Sequence, residues 1–297
     1  MTVNTEQASA ISIGNFDGFH LGHGKIVDTM KTIAQQNNLQ CSIITFSPHP
    51  RVLFKKLSHL ITTESQKREI LGSLGVRFEF MDFLKIVSLT PEQFVTDVLL
   101  KKFRMKYIIV GKNFKFGKDR GGGIDTLETL SHDFGFRLVV VPPVKIDGTR
   151  VSSSRIRESL LEGEIAAANR MLGRSYYIDG EVVHGEKIGK ELGFPTINLK
   201  TGNTILPEGV FKTKVSIGGD LYDSVTNIGT RPTFYNKSEK KVEAHILDFD
   251  RGLYGKTVRL YFEKKLRNEK KFDSESGLVE QIKKDIECIK VDKDTLF

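Results

Sequence analysis

Short apolar runs alternate with segments of helical period through the first half of the chain. Ala10 to Ile13 reads as the end of a buried strand, and Ile26, Val27, Met30, Ile33 and Ala34 follow at helical spacing. Residues 42–46, 78–81, 107–111 and 137–141 are further short apolar runs, the pattern of strands buried on both faces. Thr90-Pro91-Glu92-Gln93 reads as a helix start, with Thr90 as N-cap, Pro91 at the first position and Gln93 closing a capping box. Phe94, Val98 and Leu99 are expected to face inward. Strands alternating with helices predict a doubly wound parallel sheet, in which ligands bind at the carboxyl ends of the strands.

Two short helical stretches, near 154–161 and 164–172, close this half, and after Gly173 the period changes. Residues 181–184, 210–217, 222–227, 242–249 and 257–262 are strand-like, several alternating polar with apolar positions, as in an antiparallel sheet or small barrel. A last helix is expected over 277–289, with Leu278, Ile282, Ile286 and Ile289 on one stripe. Two domains follow, 1–173 and 174–297.

Composition adds little beyond an ordinary globular chain: 297 residues, 39% hydrophobic and 28% charged. The net charge of +8 is uneven, with 23 basic against 17 acidic residues before Arg174 and 22 against 20 from there on. A basic first half suits a nucleotide site or a weak nucleic-acid surface, and a solvated face with neither role is the commoner explanation. Cys41 and Cys288 have no CxxC partners, so structural zinc and a disulfide framework are not expected. No run approaches a membrane span and no basic-then-apolar leader is present, so a cytoplasmic enzyme or binding protein is the expectation, without a membrane partner.

Candidate chemistry begins at Gly14-Asn15-Phe16-Asp17-Gly18-Phe19-His20-Leu21-Gly22-His23, where a strand gives way to a helix. Free N–H groups and the helix dipole attract anions there, so His20 and His23 point to phosphate chemistry. No Cys or third His completes a metal set. Gly14, Gly18, Gly22 and Gly24 would let backbone approach a ligand, while Asp17 is open to a turn-stabilising hydrogen bond. Prolines 48 and 50 fix a rigid exit from the second strand, either as a purely structural device or as a way to bring His49 and Arg51 to a phosphate. Gly111 to Asp119 fails the P-loop spacing, with five residues between the glycines and no hydroxyl after Lys118. Ser152, Ser153 and Ser154 with Arg155 and Arg157 fit a second anion grip, beyond the one serine that capping explains. In the second half Gly185, Gly189 and Gly193 recur every fourth residue among charges, either as a phosphate-facing loop or as a hairpin without a ligand.

GNFDGFHLGH, TFSPHP, GKNFKFG and VSSSRIR stand in the order found in the bacterial riboflavin kinase/FMN adenylyltransferase family, and the first half resembles its nucleotidyltransferase domain, a Rossmann-like α/β fold. The resemblance implies that His20 and His23 stabilise charge on ATP phosphates. It places Gly14, Asn15, Phe16, Asp17, His49, Asn113, Ser154 and Arg157 in ATP and FMN binding. The reaction implied is attack of the FMN phosphate on the α-phosphorus of ATP, with release of pyrophosphate. The second half, through Gly185–Leu199, Asn227–Phe234 and Val242–Leu247, resembles the family's riboflavin kinase domain, a small antiparallel barrel with a terminal helix. It implies nucleotide or flavin binding by Gly185, Gly189 and Gly193, magnesium ligation by Thr196 and Asn198, and Glu243 as base on the riboflavin 5′-hydroxyl. Riboflavin, FMN, FAD and ATP are then the small-molecule partners, with no nucleic acid. Ile197 stands where the family has alanine, and Lys190 where it usually has arginine. A bulkier, stiffer side chain between two ligands could displace them. An FAD synthetase with a weakened kinase domain is therefore the second reading. A non-catalytic flavin- or RNA-binding regulator is a third, and predicts that His20→Ala leaves function intact.

Overall fold

The computed structural model describes residues 7–186, 188–231 and 239–294; Lys187 and the Pro232-Thr233-Phe234 end of one motif lie outside the described residues. The chain divides into two units, Met1–Ser153 and Ser154–Phe297.

In the first unit β1 (Ser9–Ile13), β2 (Gln40–Ser47), β3 (Arg77–Asp82), β4 (Met105–Gly111) and β5 (Arg137–Val141) form one parallel sheet in the order β3-β2-β1-β4-β5. Period-two alternation splits the apolar residues between its faces. Ile11, Ile13, Ile44, Ile108 and Val110 face one core with Leu99 and Leu127, and Ala10, Ile43 and Ile109 face another with Val27, Met30 and Leu71. These partners come from α4 (residues 91–102) and α5 (Ile124–Phe134) on one side, and α1 (Leu21–Gln36) and α3 (Glu64–Ser73) on the other. The doubly wound sheet is as expected. Burial on both faces holds for β1, whereas β3 and β5 are mostly half-buried or exposed, as strands at the two edges of the sheet.

The capping box at Thr90 forms as predicted, but the helix after it is π-wound over Phe94–Lys102. The wider turn brings Val95 and Leu99 inward with Phe94, and leaves Val98 only half-buried. Helix α2 (Pro50–Leu53) is a single turn after β2.

In the second unit α6 (Ser153–Leu161) and α7 (Ile165–Leu172) precede β8 (Tyr176–Val183); β6 (Lys145–Ile146) and β7 (Thr149–Arg150) are a small ribbon at the end of the first unit. The two helices group with the barrel, although the sequence pattern has them closing the first half. Asn169 of α7 explains part of this, because its amide donates to Phe262 O (2.9 Å) and accepts from Tyr176 N (2.7 Å). Strands β8, β9 (Ile197–Thr201), β10 (Gly209–Ile217), β11 (Asp220–Arg231), β12 (Glu239–Ile246) and β13 (Thr257–Arg267) close an antiparallel barrel in the order β10-β11-β12-β9-β8-β13. A short α8 (Ile188–Glu191) lies in the β8–β9 connection, and α9 (Glu275–Asp294) follows the barrel.

Two candidate active sites

Helix α1 starts at the carboxyl end of the central strand β1, and His20 is its N-cap. His20 Nδ1 accepts the backbone N–H of His23 at 3.3 Å. In the neutral ring this puts the proton on Nε2. The His23 ring stacks on His20 at 3.7 Å, and Phe16 packs edge-on against His23 at 5.1 Å. Phe16 is buried at a φ of 47° and Phe19 sits at 36°, so this turn holds two bulky residues in a sparsely populated backbone region.

The glycines serve the turn's own packing. A Cβ on Gly22 would stand 3.1 Å from the His20 ring, and one on Gly18, at φ +77°, would stand 2.8 Å from Ile61; Gly24 faces open space. Asp17 is buried, and its Oδ1 accepts from Ile61 N (3.0 Å) and Thr62 N (3.3 Å), so the carboxylate anchors a distant loop.

His49 repeats the device one strand over. It caps α2, with Nδ1 accepting from Arg51 N at 3.2 Å. Between these strand ends lies a cavity of about 600 Å³. Gly14 and Asn15 after β1, Phe46 of β2 and Asn113 after β4 contribute to its walls. Asn113 also lies against Arg150, its amide oxygen accepting from both guanidinium nitrogens (2.5 and 3.3 Å). Phe46, Phe54, Phe83, Phe114 and Phe116 line the cavity together with Phe94. Arg51, Lys56, Lys115 and Arg120 set four cations there against Asp119 alone. Phe83 meets Phe46 and Phe54 edge-on at 5.5 and 6.0 Å.

Of the closing serine–arginine motif, Ser153 Oγ donates to Asp17 O at 2.9 Å. Ser154 is exposed and Arg157 is buried, both in the second unit.

The barrel unit has its own pocket of about 350 Å³. Strand register puts Asn198 beside Glu243, Glu243 beside Asn227, Asn227 beside Val210, and Val210 beside Arg267. All five line the pocket, so they form one rung that runs through five of the six strands. Thr196 lines it as well, just ahead of β9. Ile197 is absent from the lining, because successive side chains of a strand point to opposite faces; its bulk is directed away from Thr196 and Asn198. Lys190 is exposed and is also absent from the lining.

Gly185 and Gly189 are tight points of the β8–β9 connection. A Cβ on the first would overlap the Asn198 amide, and one on the second would stand 2.5 Å from Phe194 O. His245 Nδ1 is 2.8 Å from Pro195 O, and its ring meets Phe194 edge-on at 5.7 Å, which steadies the segment carrying Thr196. Arg267 is held by Asp285 of α9 through Nε and Nη2 (3.1 and 2.9 Å), and Leu278 and Ile282 of the same helix complete the wall.

A basic, phenylalanine-walled cavity at parallel strand ends and an oxygen-lined pocket in a closed barrel define a two-site protein suited to phosphate-bearing ligands. A family profile described as FAD synthetase matches residues 2–155, and one described as riboflavin kinase matches residues 172–291. The chain therefore belongs to the bifunctional riboflavin kinase/FMN adenylyltransferase family. Relatives of that name include those of Buchnera aphidicola subsp. Schizaphis graminum (35% identical, 95% of this chain and 93% of the relative) and Bacillus subtilis (34%, 95% and 92%). The Escherichia coli K12 relative is 32% identical over 94% of this chain and 91% of its own length. A crystal structure described as a macrolide-efflux protein from Streptococcus pneumoniae superposes with a TM-score of 0.89 at 29% identity, covering 97% of this chain and 95% of that one. Among the described residues no helix is long and apolar enough to cross a membrane.

Proposed function

We propose that the two reactions of the family are divided between the two pockets, with residues 1–173 forming the adenylyltransferase domain and 174–297 the kinase domain. The chain makes FMN from riboflavin and FAD from FMN, each with ATP, as membership of the family and both matching profiles support. In FAD formation an FMN phosphate oxygen attacks the α-phosphorus of ATP and the bond to pyrophosphate breaks. No covalent nucleophile on the protein is needed; positioning and charge neutralisation carry the rate. The single observation behind the assignment is the His20–His23 stack capping α1 at the central strand end. The helix N-terminus that it caps favours an anion, and the two rings stand beside the cavity without being among its lining residues. The four cations of the cavity offset phosphate charge, and Phe46, Phe54, Phe83 and Phe114 suit a flat ring system such as isoalloxazine. Ser154 and Arg157 are assigned to the ATP phosphates on the resemblance of their motif. His20→Ala is expected to lower FAD formation from FMN about 100-fold or more, with FMN formation from riboflavin unchanged. Unaltered FAD formation would sink the assignment.

In the second pocket Glu243 takes the proton of the riboflavin 5′-hydroxyl as its oxygen attacks the γ-phosphorus of ATP, and the bond from that phosphorus to the ADP oxygen breaks, releasing ADP. Magnesium fits the residues present: a threonine hydroxyl and an amide oxygen beside a carboxylate are hard oxygen donors, two of them on one barrel rung. Thr196 and Asn198 would hold it, and it would neutralise phosphate charge. Because Ile197 lies on the other face of β9, the geometry favours an active kinase over the weakened one. Glu243→Gln keeps shape and removes the base, so FMN formation should fall at least 100-fold while FAD formation from supplied FMN persists.

A further inference from the structure

Lys67, on the first turn of α3, is a buried cation that adenylyl transfer as derived above does not use. Its Nζ donates to Asn15 O (3.2 Å), to Phe46 O (3.4 Å) and to Thr45 Oγ1 (3.4 Å). Thr45 Oγ1 in turn donates to Asn15 O at 3.2 Å, and the ammonium stands 5.1 Å from the centre of the Phe80 ring. Asn15 and Phe46 line the cavity, whereas Lys67 does not. The ammonium therefore sits behind the wall, joined to the chain just past β1 and at the end of β2.

We propose that Lys67 is a positioning residue for adenylyl transfer, its ammonium tying the β1 and β2 chain ends into one wall of the cavity and turning two carbonyl dipoles away from the phosphates. The proposal rests on assigning that cavity to adenylyl transfer. Burial of a lysine is costly unless its proton donors are taken, and here three acceptors take them. Without the ammonium, the carbonyls of Asn15 and Phe46 would lose a charge-assisted partner and be free to turn toward the substrate phosphates. The groups that face it are Asp17 from the β1–α1 connection and Glu64 and Arg68 from α3; Thr45 of β2 and Phe80 of β3 add no charge. Burial pushes the ammonium below the ordinary lysine range, Asp17 and Glu64 act to raise it, and Arg68 lowers it further. Its charge is therefore lost at a lower alkaline pH than that of an exposed lysine.

The test uses the full chain with Lys67→Met and Lys67→Arg. It measures kcat and KM for FAD formation, the pH profile, and riboflavin phosphorylation as an internal control. Lys67→Met is expected to lose roughly 100-fold in kcat, the scale of a 1 Å misplacement, with KM for ATP and FMN and the kinase reaction little changed. Lys67→Arg is expected to restore most of the rate and to move the alkaline fall of activity to higher pH, since guanidinium keeps its proton. Full activity in Lys67→Met overturns the proposal, and so does an alkaline limb that Lys67→Arg leaves in place. If Lys67→Met fails to fold, the pH profile of Lys67→Arg decides alone. If His20→Ala keeps FAD formation, the site assignment fails; if His20→Ala loses it and Lys67→Met keeps it, only the role of Lys67 fails.

Discussion

A methyl group at residue 22 would meet the His20 ring at 3.1 Å, so Gly22→Ala tests how closely the cap geometry is held. The ring must shift by a few tenths of an ångström, and FAD formation is expected to fall about tenfold, within the cost of small misplacements. Thermal unfolding and riboflavin phosphorylation should barely move. Gly18→Ala is a different experiment, because a left-handed backbone is combined with a 2.8 Å approach to Ile61. Strain and overpacking together should cost about 1–3 kcal/mol in denaturant unfolding. At this scale the places of Asn113 and Glu243 on the walls of the two pockets were legible, because local motifs carry them. Lys67, Phe54 and Phe83 were not, since a lysine in a first helical turn or a phenylalanine after a strand looks ordinary until residues far apart in sequence meet it. Asp17 shows the same limit, with its partners 44 and 45 residues away.

Among elements, the buried strands of the parallel sheet were the most legible, because continuous apolar runs have one economical explanation. Strand β9 was hidden: it is five residues long and follows a glycine- and charge-rich stretch. The start of β8 was hidden by Asp179, an acid inside a strand, which the structure accommodates through a two-pronged pair with Arg259 (2.6 and 3.0 Å). Helix α9 was read correctly in its apolar stripe, but its polar attachment was not foreseen. Asp285 is nearly buried and pairs with Arg267, so Asp285→Ala leaves a partly buried guanidinium without its carboxylate. A loss of about 3 kcal/mol in urea unfolding is expected. The same change should raise KM for riboflavin, because Leu278 and Ile282 on α9 wall the pocket.

For the whole molecule, the division of chemistry makes the two activities separable and complementary. Given riboflavin and ATP, His20→Ala should stop at FMN, while Glu243→Gln should make FAD only when FMN is supplied. A mixture of the two variants should again convert riboflavin to FAD through released FMN, which flavin separation by chromatography would show. The rung of Asn198, Glu243, Asn227, Val210 and Arg267 sets a different kind of limit on this chain. Asn198, Glu243, Asn227 and Val210 each owe their place to pairing with strands on either side, and Arg267 owes its place to pairing with Val210, so an error in one strand is passed to its neighbours. Loss of one residue at the Gly218-Gly219 turn falls outside the paired stretch and should be tolerated. Loss of Thr226 itself would face Asn227 out of the pocket and bring a neighbour in. The kinase site is in this sense written in counting, so that its inheritance depends on strand length as firmly as on the identity of its carboxylate.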